Sequence, residues 1–236
     1  MAQTSKETVL DGTRRLLAAI ERDHAPAAFA SSFGAEDMVL LDLIASESRQ
    51  ISVFTLDTGR LPAETHELIE RARQRYGNPI EIVRPLPQAV DAYVAAHGMD
   101  GFYEGIAQRR ACCEVRKVEP LRRALAGRRS WITGLRRAQS EGRQELAAAS
   151  FDTAAGVWKF NPLVEWSDED VWSYIREHDV PYNALHDRGY PSIGCEPCTR
   201  AVKPGEHPRA GRWWWESEGV RKECGLHAIP VREVAA

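Results

Sequence analysis

The stretch Ala27-Ala28-Phe29-Ala30-Ser31-Ser32-Phe33-Gly34-Ala35-Glu36-Asp37, continuing into the apolar run Met38 to Ala45, decides the fold. Four small or aromatic apolar residues predict a buried strand, the Ser/Gly segment a loop, and the apolar residues beyond it a helix. A loop so placed sets backbone N–H groups at a helix N-terminus, where the helix dipole favours an anion such as phosphate. The segment is neither G-x-G-x-x-G nor a Walker A sequence, and no lysine follows its glycine. A second unit repeats the pattern. Ile51 to Leu56 reads as a buried strand ending in Asp57-Thr58-Gly59-Arg60, and Pro62 suits the first turn of a helix over Ala63 to Tyr76. A third strand, Ile80 to Val83, precedes a helical stretch near Gln88 to Ala96. This alternation predicts a single α/β domain with a mainly parallel, helix-covered sheet, in which ligands bind outside the carboxyl ends of the strands. Both loops lie on that edge.

Outward from this unit, Glu7 to Arg22 has the spacing of an amphipathic helix, so residues 1–26 read as a helical lead-in. Gly105 to Ala126 is again helical. Ser130 to Thr133 predicts a fourth strand, followed by Gly134-Leu135-Arg136-Arg137 and a basic loop to Arg143. Ala147 to Gly156 carries no clear signal and is compatible with a turn between two edge strands, and Lys159 to Val164 reads as the last strand. Ser167-Asp168-Glu169-Asp170 has the form of a capping box ahead of a helix over Val171 to His178.

Composition narrows the class. The 236 residues allow one sizeable core. Lys and Arg number 31 against 34 Asp and Glu, a net charge of -3 that gives no global attraction to nucleic acid or an anionic membrane. No apolar run approaches the roughly twenty residues of a membrane span, and Met1 to Lys6 leads into no apolar signal core. The expected setting is the cytoplasm, where thiols bind metals or react more often than they form structural disulfides.

Five cysteines carry the chemistry. Cys112-Cys113 and Cys195-Glu196-Pro197-Cys198 are two close pairs far apart in sequence, the pattern of four thiolates brought to one soft metal centre. A zinc site is the plain alternative. Consecutive helix positions point about 100° apart, so adjacent cysteines suit a multi-iron cluster better than one ion. Cys224 is left over. Arg221 and Lys222 precede it and His227 follows, and nearby cations lower a thiol's pKa toward the nucleophilic thiolate. The arginines at 136, 137, 143, 209 and 212 flank the metal segment and suggest an anion pocket. Trp213-Trp214-Trp215 reads as packing, and His24, His66, His97, His178, His186 and His207 show no ligand spacing. The expected division is 1–26, a nucleotide- and cluster-binding domain over 27–211, and a C-terminal tail over 212–236, open to being mobile, that carries Cys224.

Together the Ser31 to Asp37 loop, Leu56 to Arg60, Cys112-Cys113, Gly134 to Arg137, Gly194 to Thr199 and Glu223-Cys224-Gly225-Leu226-His227 resemble the assimilatory sulfonucleotide reductases, and within them the iron-sulfur branch, the adenylyl-sulfate (APS) reductases. The resemblance implies a fold similar to the adenine nucleotide alpha-hydrolase (PP-loop) enzymes, without their ATP-cleaving loop. It implies thiol-dependent cleavage of APS to sulfite and AMP, with Cys224 as nucleophile and thioredoxin or a glutaredoxin as reductant. A 4Fe-4S cluster would sit on Cys112, Cys113, Cys195 and Cys198. Ser31, Ser32, Gly34, Leu56, Thr58 and Gly134 would hold the nucleotide, and Lys117, Arg143, Arg209, Arg212 and His227 the charged end. The branch that uses the 3'-phosphorylated substrate (PAPS) usually lacks the cysteine pairs, which favours APS here. A PAPS reductase, or a zinc-stapled binding module with an idle Cys224, are the alternatives. A homo-oligomer is compatible with all of these.

Overall fold

A computed structural model describes residues 2–47, 49–77 and 79–216. Cys224 and His227, and with them most of the expected tail, lie outside the described residues. Strands β1 (Ala27–Ala30), β2 (Ser52–Leu56), β3 (Ile80–Val83), β4 (Ser130–Ile132), β5 (Ala149–Asp152) and β6 (Val157–Phe160) form one sheet in the order β3-β2-β1-β4-β6-β5. All neighbours are parallel except β5 and β6. Because side chains alternate along a strand, Phe29, Val53, Ile132 and Phe160 enter one core while Ala28, Phe54, Trp131 and Val157 enter another. The first, larger core takes its cover from α1 (Ala2–Asp23), α2 (Ala35–Ser46), α3 (Ala63–Tyr76) and α7 (Asp168–Glu177). Helix α2 is buried from Met38 to Ile44, which is why its sequence is apolar on all sides. The second core is closed by α6 (Glu119–Ala124).

Helix α4 (Pro87–His97) precedes α5 (Ile106–Cys113), and the chain then makes a π-helical turn over Glu114–Val118 before entering α6. The wide turn begins directly after Cys113, supplying the local distortion that adjacent cysteines on a helix call for. Ser167 caps α7, its hydroxyl accepting from the Asp170 amide at 3.1 Å while Asp170 accepts from the Ser167 amide at 2.9 Å.

The edge of the sheet corrects the sequence expectation. The last strand is Val157–Phe160, not Lys159 to Val164, and the expected turn is found at residues 153–156, with the start of its segment forming strand β5. Hydrophobic alternation misses this strand because β5 is an outer strand, exposed at Ala149, Ser150 and Phe151, so no apolar face was required of it. Residues 212–216, expected to begin the tail, belong to the folded body: Arg212, Trp213 and Glu216 are all buried.

Candidate functional site

The strand order reverses between β1 and β4, and the loops leaving these two strands enclose a cavity of about 690 Å³. That is the crevice in which open α/β sheets bind ligands. Ser31, Ser32 and Gly34 line it from β1, Leu56 and Thr58 from β2, and Gly134 from β4. Lys117, Arg143, Arg209 and Arg212 line it too. Every described residue assigned from sequence to substrate therefore meets in one cavity.

A single buried carboxylate ties the two principal loops together. Asp37 accepts from the amide and hydroxyl of Ser32 at 2.6 and 2.7 Å and from the amide of Gly134. A Cβ on Gly134 would overlap Asp37 Oδ1, so only glycine lets β4's loop approach this closely. The loop also holds Phe33 at φ 60°, a conformation unusual for a residue other than glycine and sustained here by burial. The internal bonding alters one expectation. The amides of Ser32, Phe33 and Gly34 are occupied by Asp37, Ser31 Oγ and Ser32 Oγ, so they do not wait for a phosphate. Cationic side chains line the same cavity.

Burial pushes the Asp37 carboxyl up to about 6, against the lowering effect of its Ser32 hydrogen bonds. Its folded pKa thus exceeds its ordinary value, so the folded state holds the proton more tightly. Stability from this group is fully present below about pH 4 and is lost as pH rises to about 6. Thermal melts of wild type and Asp37→Asn are expected to show the wild-type Tm declining relative to the variant between pH 4 and 6, and a constant difference above. Parallel Tm curves across that range would remove Asp37 as the titrating group.

The arginines separate by partner. Arg136 donates to Glu36 Oε1 at 2.7 Å and pairs also with Asp168, and Arg137 pairs with Glu165. Arg136 still lines the cavity, with its charge shared by two carboxylates, whereas Arg137 does not line it. Gln139 was not singled out from sequence. It accepts from Arg143 while donating to Glu36 at 2.8 Å, tethering Arg143 at the cavity wall. No motif signals such a relay. Arg212 stands apart. It is buried, donates to Ser192 Oγ and the Ile193 carbonyl at 3.3 and 3.1 Å, has no carboxylate partner among the described residues, and leaves Nε without a hydrogen bond. Gly194 makes room for it, since a Cβ there would lie 2.6 Å from its guanidinium carbon. A buried, uncompensated cation costs free energy and is the mark of a site built for an anion.

The four described cysteines line a second, smaller cavity of about 20 Å³ with Phe102, Arg60, Arg109 and Arg116. Lys117, Arg212 and Trp213 line both cavities and form the wall between them. Cys112 and Cys113 arrive on the end of α5, and Cys195 and Cys198 on a short 3-10 turn. Thr58 joins the two centres, its hydroxyl lying 3.3 Å from Cys195 Sγ. All four thiols are free of disulfides. Burial, and secondarily Cys195, push the Cys198 thiol up to about 12, while burial raises Cys112 against the pull of Arg116. Thiols so crowded need a positive centre to become thiolates. Among the described residues no group of three or more His, Cys, Asp or Glu is already set to hold a metal ion. Four thiols sharing one cavity fit the chemistry of an iron-sulfur cluster, which spreads its cysteines around several metal atoms.

Comparison with known proteins places this geometry. Residues 26–201 match the phosphoadenosine phosphosulfate reductase domain family. An adenosine 5'-phosphosulfate reductase of Allochromatium vinosum is 56% identical over 212 residues, spanning 90% of this chain and 82% of the relative. A Burkholderia cepacia protein of the same name is 54% identical over 221 residues, 94% of this chain and 88% of the relative. Among solved structures, a phosphoadenylyl-sulfate (PAPS) reductase from Candida auris superposes with a TM-score of 0.69 at 27% identity, over 80% of this chain and 90% of that one. A yeast FAD synthetase, at 16% identity and a TM-score of 0.60 over 84% of this chain and 67% of that one, shares the fold alone. No helix among the described residues is long and apolar enough to cross a membrane.

Proposed function

The chain belongs to the phosphoadenosine phosphosulfate reductase family, and on that premise we propose that it cleaves adenosine 5'-phosphosulfate reductively to sulfite and AMP in assimilatory sulfate reduction. The observation that carries the proposal is the buried Arg212, without a carboxylate partner among the described residues, in a wall shared by the nucleotide-sized cavity and the four-cysteine cavity.

Cys224 supplies the nucleophile. Its thiolate attacks the sulfate sulfur, the bond from sulfur to the AMP phosphate oxygen breaks, AMP leaves, and an S-sulfocysteine remains. A thiol of thioredoxin or a glutaredoxin then attacks Cys224 Sγ and expels sulfite. The partner's second thiol closes its own disulfide, so its dithiol provides both electrons and the Cys224 thiol is restored. Bringing a thiolate to a phosphosulfate sets anion against anion, and cationic compensation is the main catalytic demand. Lys117, Arg143, Arg209, Arg212 and His227 meet it. Ser31, Ser32, Gly34, Leu56, Thr58 and Gly134 hold the nucleotide, with Gly134's missing side chain letting the β4 loop close against Asp37. Cys112, Cys113, Cys195 and Cys198 would hold a 4Fe-4S cluster, which supplies a covalent tie between α5 and the 195–198 turn and a local charge beside Lys117. The two cysteine pairs favour APS over PAPS, and kcat/KM for the two substrates decides between them. A cytoplasmic location belongs to the same proposal.

Intact-protein mass spectrometry after addition of APS without reductant tests the mechanism. A sulfonate adduct confined to Cys224 and released by thioredoxin is expected. Unmodified Cys224 in enzyme that turns over with reductant would overturn it.

A further inference from the structure

Buried just past the end of β2, Asp57 lines neither cavity, yet both of its carboxylate oxygens are used. Oδ1 accepts from the Gly59 amide at 3.0 Å, closing an Asx turn, and Oδ2 accepts from Arg84 Nε at 3.0 Å. The Asp57 amide donates to the Val83 carbonyl at 3.0 Å, so the start of the turn is moored to β3. An Asx turn is an ordinary way to leave a strand, and the groups this one carries set it apart.

Between Thr58 and Arg60 the chain is bonded to both cysteine-bearing elements. Thr58 Oγ1 lies 3.3 Å from Cys195 Sγ, and the Arg60 carbonyl accepts from the Glu196 amide at 2.8 Å, which fixes the 195–198 turn. The Thr58 carbonyl accepts from Arg116 Nη1 at 2.7 Å. Arg116 in turn bonds the Cys112 thiol from the π-helical turn that follows Cys113. Thr58 also lines the nucleotide-sized cavity. Residues 58–60 therefore stand between the two sites, and the Asp57 carboxylate sets their conformation.

We propose that Asp57 is a positioning residue that couples the nucleotide cavity to the four-cysteine centre: by closing the 57–60 turn it holds Thr58 in the one conformation that serves both. The proposal deepens the reading of these cavities as nucleotide and cluster sites and rests on it. Asp57 touches neither ligand and acts only through the turn. Occupancy of either cavity favours the same turn conformation, so each ligand strengthens the other, and by linkage the effect is reciprocal. A bound nucleotide should slow loss of the cluster, and the cluster should raise nucleotide affinity.

The test follows the visible absorption of the iron-containing holoenzyme as it decays under an iron chelator, with and without saturating AMP. Calorimetry gives AMP affinity before and after the iron is removed. In the wild type, AMP is expected to slow the decay about 5-fold or more, and removal of iron to weaken AMP binding by a similar factor. Asp57→Ala leaves the Gly59 amide and Arg84 without their acceptor, and protection by AMP is expected to fall below about twofold. Asp57→Asn keeps an acceptor for the Gly59 amide and is expected to recover most of the protection. Thr58→Val breaks the hydroxyl contact with Cys195 without disturbing the Asx turn, and is expected to lose protection as Asp57→Ala does. A merely structural Asp57 would speed the decay equally with and without AMP and leave the protection ratio intact. That outcome, an Asp57→Asn no better than Asp57→Ala, full protection in Thr58→Val, or a wild type that AMP does not protect would each overturn the proposal. A wild-type protein that holds no iron, or binds no AMP, would instead overturn the reading of the cavities, and this proposal with it.

Discussion

Replacing Cys224 by serine is expected to lower sulfite release from APS by at least about 10⁴-fold. Thiolate, not thiol, is the attacking species, and Arg221, Lys222 and His227 surround Cys224 in sequence with the charges that favour it. A serine hydroxyl in the same setting has no comparable population of alkoxide, because it is a far weaker acid than a thiol. Removal of the nucleophile cannot be compensated by the cationic wall, because charge compensation without an attacking thiolate forms no bond to sulfur. AMP affinity should stay within about twofold, since the nucleotide cavity is built from residues 31–34, 56–58 and 134. Steady-state assay with thioredoxin, paired with AMP titration, checks both halves. Retention of more than about 1% of wild-type turnover would place the nucleophile elsewhere.

The second large effect is expected at Arg212. Arg212→Met should reduce kcat/KM for APS by roughly 10²- to 10³-fold, the usual loss when a preorganised charge is removed from a developing anion. Its stability should move the opposite way. Methionine fills much of the same volume, and removing a buried cation with no carboxylate partner among the described residues relieves an electrostatic cost, so Tm is expected to hold or rise. Arg212→Lys should recover little of the activity, because a lysine offers no planar fork to Ser192 and the Ile193 carbonyl and stacks less well on Trp213. A fall in Tm together with normal kinetics would make Arg212 a structural residue. The opposed signs are what distinguish a functional cation from a packing one.

Much of this site was legible before any coordinates. Strand, small-residue loop and apolar helix from Ala27 to Ala45 appear where expected, and so do β2 with its Asp57 to Arg60 loop and β4 with Gly134. Both cysteine pairs converge on one cavity. These features are carried by local signals: period-two and helical apolar spacing, glycine where backbones approach, and thiols in close pairs. Edge strand β5 was not legible, because a strand with little to bury leaves little apolar pattern. Gln139 was not legible either, since it depends on partners that are polar and unremarkable in sequence.

By itself the sequence determined the order of the elements, the parallel α/β architecture and the residue types gathered at the carboxyl edge of the sheet, because apolar periodicity and turn chemistry are local properties of the chain. Only the tertiary structure decided which arginines are available to an anion. Arg136, Arg137 and Arg212 are equivalent in a string of letters, yet two face carboxylates from other elements and the third faces none among the described residues. A charge is spent or kept according to what folding brings opposite it, and those partners lie as far as a hundred residues away: Glu36 for Arg136, and for Arg212 no acid among the described residues.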